Sequence, residues 1–381
     1  MPDMRFAPAP VLLEQKLSGG LNQTSVRGHN ERLILDLLRR EGTLSRLEIG
    51  KYTGLSAQTI SVLVRALLKD GLLLEGETSK GRVGPPTTPF SLNPDGAFAL
   101  GIYAGVRVID ACLLDFQGTL RETHRRHLQK DVDVATQVEE LARQLLAGTS
   151  AARRNRCLGI GLGVNKAHWS AAAGGDDRGW HPASGMDKVE DQMTSSTGLP
   201  CYILEDATSA ATGHVLYGDR ATGSSFLYCH VGAQTRIRVV LGGQAQVGHN
   251  EALATLPGLT ALEERLTAAG HSGVDVWMGN SIPVEAHETF ENWAQDLAKQ
   301  VTSVSRGLLA FLDVPRFVLV TSLAEQDAHE VAEAVSSAHQ SQALDVHAFT
   351  GHNAQWAKAT GAAACVLSDR FTPGWNEGSA A

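Results

Sequence analysis

The chain is poor in cysteine, and the few it has are not paired. Its five cysteines (Cys112, Cys157, Cys201, Cys229 and Cys365) are scattered with no CxxC or CxC spacing. That argues against a thiolate metal site and against a disulfide framework, and it fits a reducing compartment. No apolar run approaches the ~20 residues that a membrane span needs. The N-terminal stretch MPDMRFAPAPVLLEQKL lacks the charged start, long apolar core and small-residue cleavage site of a secretory signal. Residues 1–25 are therefore expected to be a loose tail, and the protein to be cytoplasmic. There is no low-complexity segment. Cations are also in the minority: 33 Lys and Arg face 41 Asp and Glu, a net charge of −8, which taken alone argues against a nucleic-acid partner.

The charge is not evenly spread. Residues Val26–Phe90 hold ten Lys or Arg and seven Asp or Glu, a balance of +3, which leaves −11 for the remainder. A weakly basic small domain on an acidic body suits a DNA-binding head whose body the phosphates repel. Within it, Thr43–Asp70 (TLSRLEIGKYTGLSAQTISVLVRALLKD) reads as a helix-turn-helix. Ser45 with Glu48 three residues later forms a capping box, which predicts a first helix over Arg46–Tyr52. Gly54 supplies the left-handed turn, Leu55 plugs it, and Ser56 caps a second helix. There Ile60, Leu63, Val64, Leu67 and Leu68 recur at helical spacing as a buried face. Gln58, Val62, Arg65 and Lys69 fall on the other face, with Thr59 and Ser61 at its margins. Amides and hydroxyls near the helix start suit base edges, and the cations beyond suit phosphates. An ordinary helical hairpin with a solvated face is the competing reading.

The flanks favour the first reading. Asn30–Glu41 is an amphipathic helix with Leu33, Ile34, Leu37 and Leu38 on one face. Arg39, Arg40 and Arg46 are placed to touch the phosphate backbone, with a solvated face as the alternative for the pair Arg39 and Arg40. Leu72–Leu74 and Phe90–Leu92 read as short strands around EGETSKGRVGPPTTP, which has the look of a wing: glycines for close approach, prolines for extension, and Lys80 and Arg82 as cations for the minor groove; a flexible linker with incidental charge is the alternative. Beyond the turn signal Asn93–Gly96, the runs Ala97–Tyr103, Val108–Asp115 and Thr119–His127 predict a three-strand meander. Further strands are expected at Cys157–Val164, Tyr202–Leu204, Phe226–Val231, Ile237–Leu241 and Arg316–Val320. Helices are expected at Val138–Leu146, Ala207–Tyr217, Val284–Leu312, Glu325–His339 and Ala354–Leu367. Strands alternating with helices indicate an α/β body.

The stretches GLNQTSVRGHNERLILDLLRREG, SRLEIGKYTGLSAQTISVLVRALLKDGLLLEG and GRVGPPTTPFSLNPDGAFALGI resemble the entry, helix-turn-helix and wing of the ROK family (repressor, open reading frame, kinase). The resemblance covers nearly the whole chain. It implies a winged helix-turn-helix over residues 26–93 and, over 94–381, an actin-like sensor and dimerisation body of two α/β lobes around a cleft. In kinase members that cleft holds ATP and a sugar. Three nucleotide motifs of the family are altered here. The first turn, GxDxGGT, reads Gly101-Ile102-Tyr103-Ala104-Gly105-Val106-Arg107. The second, GTGIG, reads Gly232-Ala233-Gln234-Thr235-Arg236. A GG pair near the adenosine is Thr321-Ser322. Replacing glycine by branched or long residues removes both the backbone conformation and the room for phosphate, so no kinase activity and no nucleotide cofactor are expected. Arg107 and Arg236 are either a new anion site or cations on the rim of a disused pocket.

The family's zinc cluster is a GH followed by CxCGxxGC. Gly248-His249 is present without the cysteines, and one imidazole cannot hold a structural zinc, so no metal is expected. His249 is then a turn residue or a sugar contact. Leu204-Glu205-Asp206-Ala207-Thr208 matches the family's NDAN-type stretch. By that resemblance Asp206 stands where the kinase base stands and accepts a sugar hydroxyl in repressors; the alternative is a carboxylate serving the helix dipole. Glu205 replaces an amide with an acceptor-only group. Residues Gly163–His181 are read as the cleft rim, where Trp169 and Trp180 either stack on a sugar or close the rim. The chain is thus expected to be a dimeric DNA-binding repressor with an inactive ROK domain. The alternatives are a sugar kinase with a DNA-binding head and an effector-independent binder. The candidate site residues are Ser56, Gln58, Thr59, Ser61, Arg65, Lys69, Lys80 and Arg82 for DNA, and Glu205, Asp206 and His249 for a ligand.

Overall fold

The structure, a computed structural model, describes residues 23–78, 87–130, 132–165, 186–246 and 255–373. Its N-terminal head packs α1 (Gln23–Glu41), α2 (Arg46–Thr53) and α3 (Ala57–Lys69) on an antiparallel sheet of β1 (Leu44–Ser45), β2 (Leu73–Glu75) and β3 (Pro89–Leu92), in the order β1-β3-β2. The local signals that predict the helix-turn-helix operate as expected. The Ser45 backbone N–H donates to Glu48 at 2.8 Å, and Glu48 N–H donates back to Ser45 Oγ at 3.3 Å. Gly54 is left-handed at φ 70°. At Gly50 the two helices cross so closely that a side-chain carbon there would stand 3.1 Å from Ile60 Cδ1. Helix α1 begins seven residues before its predicted start, and an Arg27–Glu31 pair at 3.0 Å supports the added turns.

The body has two lobes on one plan. In the first, β4 (Phe98–Ala104), β5 (Val108–Asp115) and β6 (Leu120–His127) form the predicted antiparallel meander. Then β7 (Cys157–Val164) and β8 (Cys201–Glu205) add in parallel, for the order β6-β5-β4-β7-β8. Its helices are α4 (Val134–Gly148), the single turn α5 (Ala151–Arg154), α6 (Met186–Thr197) and α7 (Asp206–Tyr217). In the second lobe β9 (Phe226–Val231), β10 (Gln234–Leu241) and β11 (Gln244–Gln246) are antiparallel, β12 (Thr255–Pro257) pairs with β10, and β13 (Arg316–Thr321) and β14 (His347–Thr350) add in parallel. Helices α8 (Leu259–Ala268), α9 (His287–Leu309) and α10 (Glu325–Ser341) belong to this lobe. Phe290, Trp293, Leu297 and Val301 line the buried face of α9.

The last helix, α11 (Ala357–Phe371), returns to the first lobe and lies across it. Glycines make that approach possible. Gly101 on β4 and Gly161 on β7 face the carbonyls of Ala359 and Ala362, and a side chain at Gly213 of α7 would stand 2.6 Å from the Gly361 Cα. The head is joined to this lobe rather than hung from it. The Arg156 guanidinium donates to the carbonyls of Asp70 at 3.2 Å and Gly96 at 2.9 Å. Gln117 donates to Leu92 O at 2.7 Å, and the rings of Phe116 and Phe371 lie 4.5 Å apart. Apolar side chains of the head form one buried cluster with Phe116, Leu216 and Leu367 of the body.

Candidate functional site

Helix α3 presents the candidate nucleic-acid interface. Ile60, Leu63, Val64 and Leu67 are buried, while Gln58, Val62, Arg65 and Lys69 are exposed along the opposite side. Gln58, Arg65 and Lys69 have no hydrogen-bond or ion-pair partner among the described residues. Ser56 and Thr59 are engaged locally: Ser56 Oγ accepts from the Thr59 N–H at 3.2 Å and lies 2.8 Å from Thr59 Oγ1. The Ser56 hydroxyl is therefore a helix cap first, and that of Thr59 is engaged with it. Ser61 is half-buried at the margin. Lys80 and Arg82 lie outside the described residues. Of the arginines considered for the phosphate backbone, Arg39 is turned inward to Asp36 at 2.7 Å, the Leu216 carbonyl and the Tyr217 ring, and Arg46 lies 4.5 Å over the Phe90 ring. Arg40 pairs with Asp36 at 3.0 Å.

The interlobe cleft is built around the junction of β8 and α7. Glu205 caps α7, accepting from the N–H groups of Ala207 at 3.3 Å and Thr208 at 2.6 Å. Asp206 is buried, and its carboxylate meets the Lys358 ammonium of α11 at 2.7 Å. From β10 of the other lobe, Arg236 reaches Glu205 at 3.0 Å and Asp206 at 3.5 Å, and Arg238 reaches Glu205 at 3.1 Å. Lys358 also donates to the Tyr103 hydroxyl at 2.9 Å. Burial alone would raise the Asp206 carboxyl; the Lys358 ammonium, with help from Arg236, outweighs it and holds the group below the usual carboxylate range. Burial alone would lower Lys358, and the charge of Asp206 more than reverses that. Glu205 goes the other way, raised by burial and then by the neighbouring Asp206 charge. Burial, followed by the Lys358 charge, keeps His230 well below an ordinary histidine, and therefore neutral at pH 7.

The altered turns lie against these same side chains. A side-chain carbon on Gly105 would stand 2.8 Å from the Tyr103 ring, and one on Gly232 would stand 3.2 Å from Lys358 Nζ. At both turns the place of a side-chain carbon is taken by protein. Among the described residues, cavities of about 10 Å³ beside Asp206 and Arg236 and about 20 Å³ beside Asp110 and His230 lie there. Each has space for about one water. Arg107 pairs with Glu263 of α8 at 3.1 Å, so it bridges the lobes. Arg125 makes a two-point pair with Asp110 at 2.6 and 2.9 Å, donates to Gln355 O at 2.6 Å, and lies 4.6 Å over the Trp356 ring. His249, Trp169 and Trp180 lie outside the described residues. No group of three His, Cys, Asp or Glu among the described residues is arranged to hold a metal ion.

Sequence reasoning brought Glu205, Asp206, Arg236 and Tyr103 to this place but missed Lys358 and Arg238. Lys358 had a signal: it is the one cation in the small-residue run AKATGAAACV, and a lone charge on a buried helix needs a partner. Arg238 had none beyond its alternation with Arg236 on one strand.

Comparisons with known proteins agree with this arrangement. Residues 28–73 match a family model described as winged helix-turn-helix DNA-binding. An uncharacterized protein of Sinorhizobium fredii is 25% identical over 305 residues, which is 76% of this chain and 77% of that one. The xylose repressor of Bacillus subtilis is 32% identical over 113 residues, 29% of each chain. That of Caldicellulosiruptor bescii is 24% identical over 246 residues, 60% of each. The chain therefore spans well under two thirds of these two named repressors. Among solved structures, a ROK family transcriptional regulator, a homologue of the E. coli MLC protein, is similar with a TM-score of 0.62 at 14% identity, over 91% of this chain and 98% of that one. A ROK family glucokinase from Streptomyces griseus, solved with glucose and AMPPNP, is similar with a TM-score of 0.50 at 15% identity, over 70% and 98%. No helix of the described residues is long and apolar enough to cross a membrane. In fold the chain is similar to that solved regulator: a winged helix-turn-helix of the DNA-binding kind carried on a sugar-kinase-like body of two lobes.

Proposed function

We propose that this chain is a cytoplasmic, dimeric transcriptional repressor whose body performs no phosphoryl transfer. The DNA-binding part rests on one observation above all: the exposed stripe Gln58, Arg65 and Lys69 on the second helix of the helix-turn-helix, without partners among the described residues. One winged helix buries a small interface, so a specific complex needs two half-sites and two copies. Selecting genomic fragments on the full-length protein and sequencing them, with light scattering of the complex, tests this. Failure to enrich any sequence, or a monomer holding a half-site with nanomolar affinity, contradicts it.

The non-enzymatic part rests on Tyr103 and Lys358 standing over the glycine turns. A phosphoryl-transfer site needs those backbone N–H groups for the phosphates. A coupled ADP-release assay over a panel of pentoses and hexoses should give no turnover. The body's remaining role is to set how the head is held. Helix α7 runs from Asp206 in the cleft to Tyr217, and the Leu216 carbonyl in its last turn takes Arg39 of the head; α11 carries Lys358 in its first turn and ends at Phe371, whose ring lies 4.5 Å from that of Phe116. A sugar effector would have to displace Lys358 from Asp206. Relatives named xylose repressors make pentoses the first probes. A second reading, an effector-independent repressor, is favoured by the ion pairs that already fill the cleft. Operator release measured by anisotropy over that panel separates the two.

A further inference from the structure

The exposed side of α3 contains a residue that neither the fold nor general DNA affinity requires. Gln58, Val62, Arg65 and Lys69 follow one another at intervals of four, three and four, a single line on a helix. Three of them are polar. Val62 is apolar and 52% exposed, whereas Ile60, Leu63, Val64 and Leu67 of the same helix are at most 4% exposed. A β-branched residue is a poorer helix former than the polar residues beside it, so its presence there does not help the helix. It is not a member of the head's buried cluster, and it is not a cap. In a helix its side chain holds essentially one rotamer, so both methyls stand at fixed positions.

The neighbours of Val62 limit what an apolar group can meet at that place. Gln58, one turn before it, can pair with an adenine edge, and Arg65, one turn after it, with a guanine edge or a phosphate. In a major groove read by donors and acceptors, the one apolar feature is the C5-methyl of thymine. From Gln58 to Arg65 the helix rises about 10 Å, the length of about three base-pair steps. We propose that Val62 reads a thymine methyl in each operator half-site, within the triplet bounded by the contacts of Gln58 and Arg65. The proposal rests on the DNA-binding reading above and adds to it the base, and the atom of that base, that gives specificity.

Uracil differs from thymine only by that methyl, which makes the test direct. The fragment most enriched by the full-length protein is remade with each thymine of the footprint replaced singly by uracil. Binding is measured by anisotropy at one salt concentration for the wild type and for Val62→Ala, which keeps a strong helix former at the position. The expected result is one thymine per half-site whose replacement weakens the wild type about three- to tenfold and leaves Val62→Ala unchanged. Val62→Ala should itself bind the all-thymine fragment more weakly by a similar factor. The proposal is overturned if no single uracil weakens the wild type, or if a sensitive thymine penalises both proteins equally. It is also overturned if Val62→Ala changes the oligomeric state, because the valine would then face a second copy of the chain. Failure to enrich any DNA fragment contradicts the DNA-binding reading itself; enrichment without the uracil effect contradicts only the role of Val62.

Discussion

Lys358 is the residue on which the cleft depends. Its ammonium serves Asp206 at 2.7 Å and Tyr103 at 2.9 Å, all three nearly out of solvent. Removing one member of a buried ion pair leaves the other uncompensated, so Lys358→Met should cost about 3–5 kcal/mol in urea unfolding. Adding Asp206→Leu should restore part of that loss, because an apolar pair carries no such charge; a double variant no more stable than Lys358→Met would contradict the pairing. The pair itself is silent near neutrality. Asp206 is lowered in the fold, so its contribution is present above the ordinary carboxylate range and lost as pH falls through the lowered value. Lys358 is raised, so its contribution is present below about pH 10 and lost as pH rises through the raised value. The histidines carry the sensitivity to mild acid. Burial brings His214 down from 6.5 to about 4, so the unfolded chain takes up a proton there first and stability falls as pH drops from 6.5 towards 4. His214→Gln should remove up to about 1.4 kcal/mol per pH unit from that slope, read from melting temperatures across the window. An unchanged slope would mean that His214 is not held neutral.

Helix α11 shows what sequence pattern can and cannot convey about an element. Its existence was plain from Ala354–Leu367; the close approach that defines it was not, because glycine and alanine carry no periodic signal. Gly361 lies against the Ser209 carbonyl, with a side-chain carbon there 2.5 Å from the Ala210 Cα. Gly361→Ala should therefore destabilise by about 1–3 kcal/mol through overpacking, whereas in an exposed helix the same change is stabilising; a raised melting temperature would contradict the packing. The capping box of α2, the glycine turn and the meander were legible because each rests on local chemistry: Ser45 with Glu48, Gly54, and apolar runs closed by turns. Helix α6 was missed because MDKVEDQMTSST has little apolar surface, and β14 because four residues at a sheet edge look like a loop. Asp206 stood out as a candidate by resemblance alone. Its ion-pair partners Arg236 and Lys358 come from two other elements distant in sequence, and no local pattern joins them to Tyr103.

The molecule as a whole is two lobes of one plan, locked together by charges across their cleft, with a head whose core continues into the first lobe. A ligand can move such an assembly only by binding one arrangement better than another, and α7 and α11 are the elements that run from the cleft to the head. The charge partition, +3 in the head against −11 elsewhere, predicts binding that weakens linearly in log–log plots against salt, with the body contributing repulsion. The most direct test of a DNA-reading head on this body is one anisotropy titration. It compares the most enriched genomic fragment with a scrambled duplex of the same composition, for the wild type and for Arg65→Ala. The wild type should prefer the enriched fragment by about a thousandfold or more, and Arg65→Ala should lose about 1–3 kcal/mol on it. Equal affinity of the wild type for both duplexes, or an Arg65→Ala variant that binds as the wild type does, would contradict the account.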